Sequence, residues 1–241
     1  LKERIMYPIT FVSLGPGEAE LITLKGLKAL QTADCIYYPA TISKEGTVSS
    51  RALDIMSELD IDTRKGIPFH VPMSKDRTKA IAAYANVTRD AELQYKDSKK
   101  VAIVAEGDAG FYSSIHYIFE TLEQDNIPVN RVAGVPAFIA AGALAGIHVV
   151  KLEEELNVVP GIISSDELTE KINLGKVIVI MKVSLCADAI KECIGNNKNA
   201  VFHYFENVGV KDLEYYTTDI QEILKRKIPY FSLMIIQGNP L

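Results

Sequence analysis

The stretch Ile9-Thr10-Phe11-Val12-Ser13-Leu14-Gly15-Pro16-Gly17-Glu18 decides the fold. A short apolar run, Ile9 to Leu14, breaks into glycine and proline and is followed by Leu21, Leu24, Leu27 and Leu30 at every third position. That order predicts a buried strand, a tight turn, and a helix over Glu20–Thr32 with the leucines on one face. The same pattern continues outward. Cys35 to Tyr38 predicts a second strand, Ser50 to Leu59 a helix, and Ile67 to Val71 a third strand. Asp76 to Tyr95 predicts a long helix, capped by Asp76 or Ser74, with Ala80, Tyr84, Val87, Ala91 and Tyr95 along one face. Val101 to Ala105 has no polar interruption, as expected of a strand at the centre of a parallel sheet. Tyr112 to Glu123 predicts the helix after it. Strand and helix alternating in this way define an α/β domain with a mostly parallel sheet.

The second half is richer in strands. Val177–Met181, Val201–Phe205, Tyr215–Thr218 and Phe231–Ile236 predict strands. Ala137–Gly146 predicts a helix of small residues that packs closely, and Asp166–Asn173, Ser184–Ile194 and Asp219–Lys225 predict further helices. A second α/β domain with a mixed sheet follows, with residues 1–132 in the first domain and 133–241 in the second. No repeat, linker or low-complexity segment interrupts the chain.

Composition narrows the class. Hydrophobic residues make up 48% of the 241 residues and charged residues 24%, the balance of a soluble globular protein. A net charge of -5 disfavours a nucleic-acid partner held by a broad basic surface. No run approaches the ~18 apolar residues of a membrane span. Leu1 to Pro8 shows no apolar signal-peptide core, so a cytoplasmic location is expected. Cys35, Cys186 and Cys193 have no C-x-x-C spacing, and Cys35 reads as a small buried hydrophobe. His70, His116, His148 and His203 are scattered, and no metal site is expected.

Two turns stand where an α/β sheet places its ligand loops, at the C-terminal ends of strands. Gly15-Pro16-Gly17-Glu18 permits a close backbone approach. It misses the G-x-G-x-x-G dinucleotide pattern, because Glu20 occupies the third glycine position, and Pro16 has no N–H to offer a phosphate. It also reads as a plain connector. Glu106-Gly107-Asp108-Ala109-Gly110-Phe111-Tyr112-Ser113-Ser114 brings carboxylates to the end of the most apolar strand, where burial without partners is costly. A ligand with hydroxyl or ammonium donors satisfies them; so does a capping role for Asp108 or Ser113. Gly134-Val135-Pro136-Ala137, Met181-Lys182 and Asn207-Val208-Gly209 are unremarkable singly.

Together these segments resemble the tetrapyrrole methylase family. The likeness runs from Phe11 through Gly15-Pro16-Gly17-Glu18 and Ile22-Thr23-Leu24-Lys25-Gly26-Leu27 to Ala33-Asp34. It continues through Glu106–Ser114, with Ala109 where the family usually has proline, and through Gly134–Gly146, Val158-Val159-Pro160-Gly161, Val177–Lys182 and Phe205–Gly209. It covers nearly the whole chain. The resemblance implies two α/β domains with the active site in the cleft between them, a homodimer, and S-adenosylmethionine as cofactor. Carried over by motif, the cofactor contacts are Pro16, Glu106, Gly107, Asp108, Phe111, Pro136, Ala137, Met181, Gly209 and Phe231, with Met181 against the adenine. Val135-Pro136-Ala137 departs from a more usual Ile-Thr-Ala.

Within the family, Tyr37-Tyr38-Pro39-Ala40, Val71-Pro72-Met73-Ser74-Lys75-Asp76, Gly107–Ser114 and Pro229-Tyr230-Phe231-Ser232-Leu233 are similar to the branch that methylates precorrin-2, or its cobalt form, at C20. The implied reaction passes a methyl from sulfonium to a meso carbon of a tetrapyrrole. Glu106, His116, Tyr112 and Tyr38 are candidates for removing the meso proton, and Lys75, Arg77 and Lys182 for meeting substrate carboxylates. Other readings keep the fold and change the substrate: another ring position, diphthine synthesis, or ribose methylation of ribosomal RNA, which wants a stronger basic patch. A further reading is a non-catalytic tetrapyrrole- or nucleotide-binding module.

Overall fold

The strand Ile9–Ser13, β1, lies inside the first sheet of this computed structural model, which describes residues 5–42, 48–70 and 77–238. The charged start Leu1–Arg4, the capping candidates Ser74 and Asp76, Lys75 and the rest of the Val71–Asp76 element lie outside the described residues. Contacts divide the chain into two units, Leu1–Pro136 and Ala137–Leu241.

In the first unit the order after β1 is α1 (Leu24–Thr32), β2 (Cys35–Ile42), β3 (Val48–Ser49), α2 (Arg51–Glu58), β4 (Gly66–His70), α3 (Arg77–Lys96), β5 (Val101–Ala105), α4 (His116–Gln124) and β6 (Val129–Val132). The parallel sheet runs β4-β2-β5-β1-β6, and β3 adds an antiparallel hairpin at the end of β2. Both faces are covered, and alternate residues of each central strand feed opposite cores. Val101, Ile103 and Ala105 of β5 pack with Phe11 against Tyr84 and Ala91 of α3 and Ile118 of α4. Ala102 and Val104 pack with Val12 against Leu30 of α1 and Ile55 of α2. Burial on both faces is why β5 tolerates no polar residue. Each fully buried aliphatic side chain stabilises the unit by roughly 1.5–3 kcal/mol.

The helix expected over Glu20–Thr32 starts late. A 3₁₀ turn, Ala19–Leu21, precedes it, and Thr23 in extended conformation caps α1 by accepting the Gly26 N–H at 3.1 Å. The cap rotates the helix so that Leu24 is 74% exposed, while Gly26 and Leu30 face the sheet. The helix expected from Tyr112 begins at His116, because Tyr112 takes a left-handed φ of 50°. β6, Val-Asn-Arg-Val at the sheet edge, gave no sequence signal because its middle residues face solvent.

The second unit contains α5 (Ala137–Ala145), β7 (Leu156–Val159), α6 (Ser165–Asn173), β8 (Val177–Met181), α7 (Ala187–Asn196), β9 (Val201–Glu206), β10 (Tyr215–Thr217), α8 (Ile220–Lys225) and β11 (Ser232–Gln237). Its sheet runs β10-β9-β11-β8-β7, with only β7 and β8 parallel. The chain is thus an α/β fold with a parallel first sheet and a mixed second one. Gly142 gives α5 its close packing: an added β-carbon would stand 2.5 Å from Val149 Cγ2. A capping box at Ser164 and Glu167 fixes the start of α6. β7 was not expected as a strand, since its four residues carry an asparagine and are only half-buried.

Candidate active site

In the first unit the chain turns after β1, β5 and β6 meet at the C-terminal edge of the sheet. Gly15 and Gly107 exchange backbone hydrogen bonds, Gly15 N–H to Gly107 O at 3.1 Å and Gly107 N–H to Gly15 O at 2.6 Å. Both take left-handed φ values, 81° and 68°. A β-carbon added at Gly107 would meet nothing within 4 Å, so this glycine is required by conformation and borders open space. Asp108 does not cap α4, whose N-cap, Ile115, has no side-chain capping bond. Its carboxylate ties loops instead: Oδ1 accepts from Gly110 N–H at 2.8 Å and Oδ2 from Gly134 N–H at 2.7 Å. The Ser13 hydroxyl donates to Val132 O at 2.6 Å and accepts from Ala109 N–H at 2.8 Å.

The expected contacts of this unit therefore gather: Pro16, Glu106, Gly107 and Asp108 sit on two turns bonded to each other, and Pro136 ends the stretch that Asp108 holds through Gly134. Pro16 is buried. Phe111 packs edge-on against Tyr112, ring centres 4.8 Å apart. Burial raises the proton affinity of the Glu106 carboxyl; the charge of Arg51 opposes this and that of Asp54 adds to it.

The second unit presents its expected residues at one edge of its own sheet. Met181 ends β8 opposite Leu233, and Phe231 immediately precedes β11, whose Ser232 lies opposite Glu206. The Asn207–Gly209 turn leaves β9 beside them, and Asn207 N–H donates to Phe231 O at 2.9 Å. Phe231 is 43% exposed. Asn207 and Lys182 both hold left-handed φ values, 50° and 56°. Such strain in non-glycine residues concentrates at functional turns. Gly161 belongs to the same edge: a β-carbon there would stand 2.6 Å from Met181 O, and its φ is 90°. Ala137 opens α5.

Of the proton acceptors considered, Tyr38 is 6% exposed inside β2. His116 opens α4, its Nδ1 3.0 Å from Ser113 O. Tyr112 is 47% exposed. Pro39 and Ala40 lie within β2, paired with Phe69 and His70, and form no loop. Among the described residues no group of His, Cys, Asp and Glu could hold a metal ion, and no helix is long and apolar enough to cross a membrane. Cys35, Cys186 and Cys193 are free and buried, and burial pushes the Cys35 thiol up to about 11.

Sequence reasoning missed the roles of Ser13, which ties the turns after β5 and β6, and of Glu214, which accepts the Gly209 N–H. A serine closing an otherwise apolar buried strand was the available signal, since a buried hydroxyl must find partners.

In α/β chains, glycine turns at strand ends are where small ligands bind. Residues 8–224 match the family of tetrapyrrole (corrin/porphyrin) methylases, and the chain belongs to that family. It is 29% identical over 238 residues to a precorrin-2 C(20)-methyltransferase of Sinorhizobium sp., covering 94% of each chain. It is 30% identical over 171 residues to a probable cobalt-precorrin-2 C(20)-methyltransferase of Methanocaldococcus jannaschii, covering 71% of this chain and 70% of the relative. A uroporphyrin-III C-methyltransferase of Thermus thermophilus, solved with S-adenosyl homocysteine, shares the fold with a TM-score of 0.67 at 15% identity, over 96% of this chain and 97% of that one.

Proposed function

We propose that the chain methylates C20 of precorrin-2 or cobalt-precorrin-2, using S-adenosylmethionine. The observation that carries the cofactor reading is how the first unit uses its N–H groups. Gly15, Gly107, Ala109, Gly110 and Gly134 all donate within the protein. A phosphate cradle needs such donors free and aimed at the ligand. These turns therefore suit a ligand without phosphate, which supports S-adenosylmethionine over a nucleotide. The cofactor contacts remain those named from the sequence: Pro16, Glu106, Gly107, Asp108, Phe111, Pro136, Ala137, Met181, Gly209 and Phe231. Gly209 gives its N–H to Glu214 Oε1 at 2.5 Å, so it faces a ligand through its α-carbon and carbonyl.

When bound, the cofactor supplies an electrophilic methyl on sulfur. The task of the protein is alignment, which contributes about 7–11 kcal/mol when the reacting groups are held in line. The glycine turns provide close approach, and their mutual bonds keep that approach fixed. Glu106, at the turn after β5, stands with His116, Tyr112 and Tyr38 as a candidate to take the meso proton, and burial raises its affinity for protons. The C20 position and the tetrapyrrole substrate rest on the names of the relatives and on the branch-like segments. Assembly as a homodimer, implied by the resemblance, is checked by light scattering at micromolar concentration.

Two measurements test the reading. Calorimetry should show S-adenosylhomocysteine binding and no comparable binding of ATP or NAD; the reverse order would end the cofactor assignment. Product analysis by mass spectrometry and NMR, with precorrin-2 and its cobalt form, should place the methyl at C20, and uroporphyrinogen III should be a poor substrate. A methyl at C2 or C7 would remove the ring-position assignment and leave the family intact.

A further inference from the structure

We propose that Ser13 is a positioning residue whose hydroxyl, paired with the Ala109 N–H, sets cofactor affinity without touching the cofactor. β1 lies between β5 and β6, so the last side chain of β1 can reach the turns leaving both neighbours. Ser13 is that residue, and it is fully buried. Its single proton goes to Val132 O, at the end of β6, and its lone pair receives the Ala109 N–H from the turn after β5. The same oxygen stands 3.5 Å from Asp108 Oδ2, which holds Gly134 N–H. The junction has no slack: a β-carbon added at Gly134 would lie 2.4 Å from Ser13 Cβ and 2.8 Å from Gly107 O.

The partner of this serine is the residue at 109. The family resemblance implies proline there, which has a fixed φ and no N–H. This chain carries alanine, 3% exposed. Alanine restores a backbone donor in a buried place, where an unpaired donor is costly. It also leaves the turn less stiff than proline does. The Ser13 hydroxyl answers both needs: it pairs the donor and pins the turn to β6. Serine at 13 and alanine at 109 thus work as a couple. This rests on the reading that the turn after β5 contacts the cofactor.

The test uses Ser13→Ala, Ala109→Pro and the double variant in the full chain. Ser13→Ala should weaken S-adenosylhomocysteine binding by roughly 5- to 30-fold, the scale of one orphaned buried donor, raising the KM for S-adenosylmethionine more than it lowers kcat. Ala109→Pro alone should also lose affinity, because the proline ring meets the Ser13 hydroxyl 2.8 Å from the nitrogen. The double variant should recover to within about 3-fold of the parent, having neither the orphan donor nor the clash. It should fold even if Ser13→Ala does not. A double variant as weak as the sum of the two single losses, or a folded Ser13→Ala with parental affinity, would overturn the proposal. Hydrogen exchange at Gly110 and Gly134 reads the same couple without any ligand: faster in Ser13→Ala, restored in the double variant. If the parent chain bound no S-adenosylhomocysteine while exchange followed this pattern, the cofactor reading would fall and the Ser13–Ala109 couple would stand as a loop tie; unchanged exchange would remove the couple itself.

Discussion

Glu106 and Glu206 occupy equivalent places in the two units, each at the end of a buried strand and each followed by a turn with left-handed residues. Their surroundings are opposite. Glu206 receives Nε and Nη2 of Arg226 and the Tyr204 hydroxyl at 2.6 Å, and Arg226 in turn lies over the Tyr215 ring, 3.5 Å from its centre. Burial alone would raise the Glu206 carboxyl; the bonds from Arg226 and Tyr204 outweigh it and hold it below the usual range. Glu106 has Arg51 nearby as a charge, but burial dominates and raises it. A carboxylate fully provided with partners belongs to the architecture. One kept in a costly environment, at a turn proposed to face the cofactor, is available for chemistry.

The largest expected effect breaks the satisfied member. Arg226→Ala should destabilise the chain by about 2–3 kcal/mol in urea unfolding, somewhat below the roughly 3–5 kcal/mol of a wholly buried pair, because a third of the Arg226 side chain meets solvent. The sign of the pH dependence follows from the lowered carboxyl. Its contribution is present above the ordinary carboxylate range and is lost as pH falls through the lowered value. The gap between parent and variant should therefore be widest near neutrality and shrink in acid. A gap that stays constant into acid would show that Arg226 acts through packing on Tyr215 instead.

A smaller effect places Asp108 between the two. It stands in the Glu106 turn, yet like Glu206 it spends its oxygens on the protein, at Gly110 and Gly134. Asp108→Ala should cost about 1–2 kcal/mol of stability through two lost charge-assisted bonds and should weaken S-adenosylhomocysteine binding at the same time. Lost affinity with unchanged stability would show that Asp108 acts through ligand contact alone and side it with Glu106.

These partnerships mark the limit of what the sequence could tell. β1, β5, β8 and β11 were legible because strands buried on both faces become continuous apolar runs. α1 was legible as a helix, but its phase was not, since one hydrogen bond to Thr23 moved Leu24 from the core to solvent. β6 and β7 were hidden because exposed residues in the one and half-buried residues in the other carry no pattern. The turns were legible through their glycines. What each carboxylate does in them was not, because Gly134 lies 26 residues beyond Asp108 in the chain and meets it only through the adjacency of strands. The sequence carries no direct signal for a hydrogen bond made across that distance.

The smallest effect concerns Glu106 itself, and its direction is the reverse of the others. A carboxyl raised in the folded state binds protons more tightly there than in the unfolded chain. Its favourable contribution is complete below the ordinary carboxylate range and is lost as pH rises through the raised value. Near neutrality Glu106 is therefore a burden on the fold. Glu106→Gln keeps the shape and removes the charge, so at neutral pH the variant should melt at a higher temperature than the parent. The advantage should narrow as acid protonates the parent, the opposite trend to Arg226→Ala. Turnover should fall in the same variant, because the amide cannot accept the meso proton. This pairing of gained stability with lost rate separates a functional carboxylate from a structural one, since replacing a structural carboxylate loses both. A Glu106→Gln protein that melts lower than the parent at neutral pH would mean that Arg51 holds Glu106 as Arg226 holds Glu206, and the contrast between the two units would collapse.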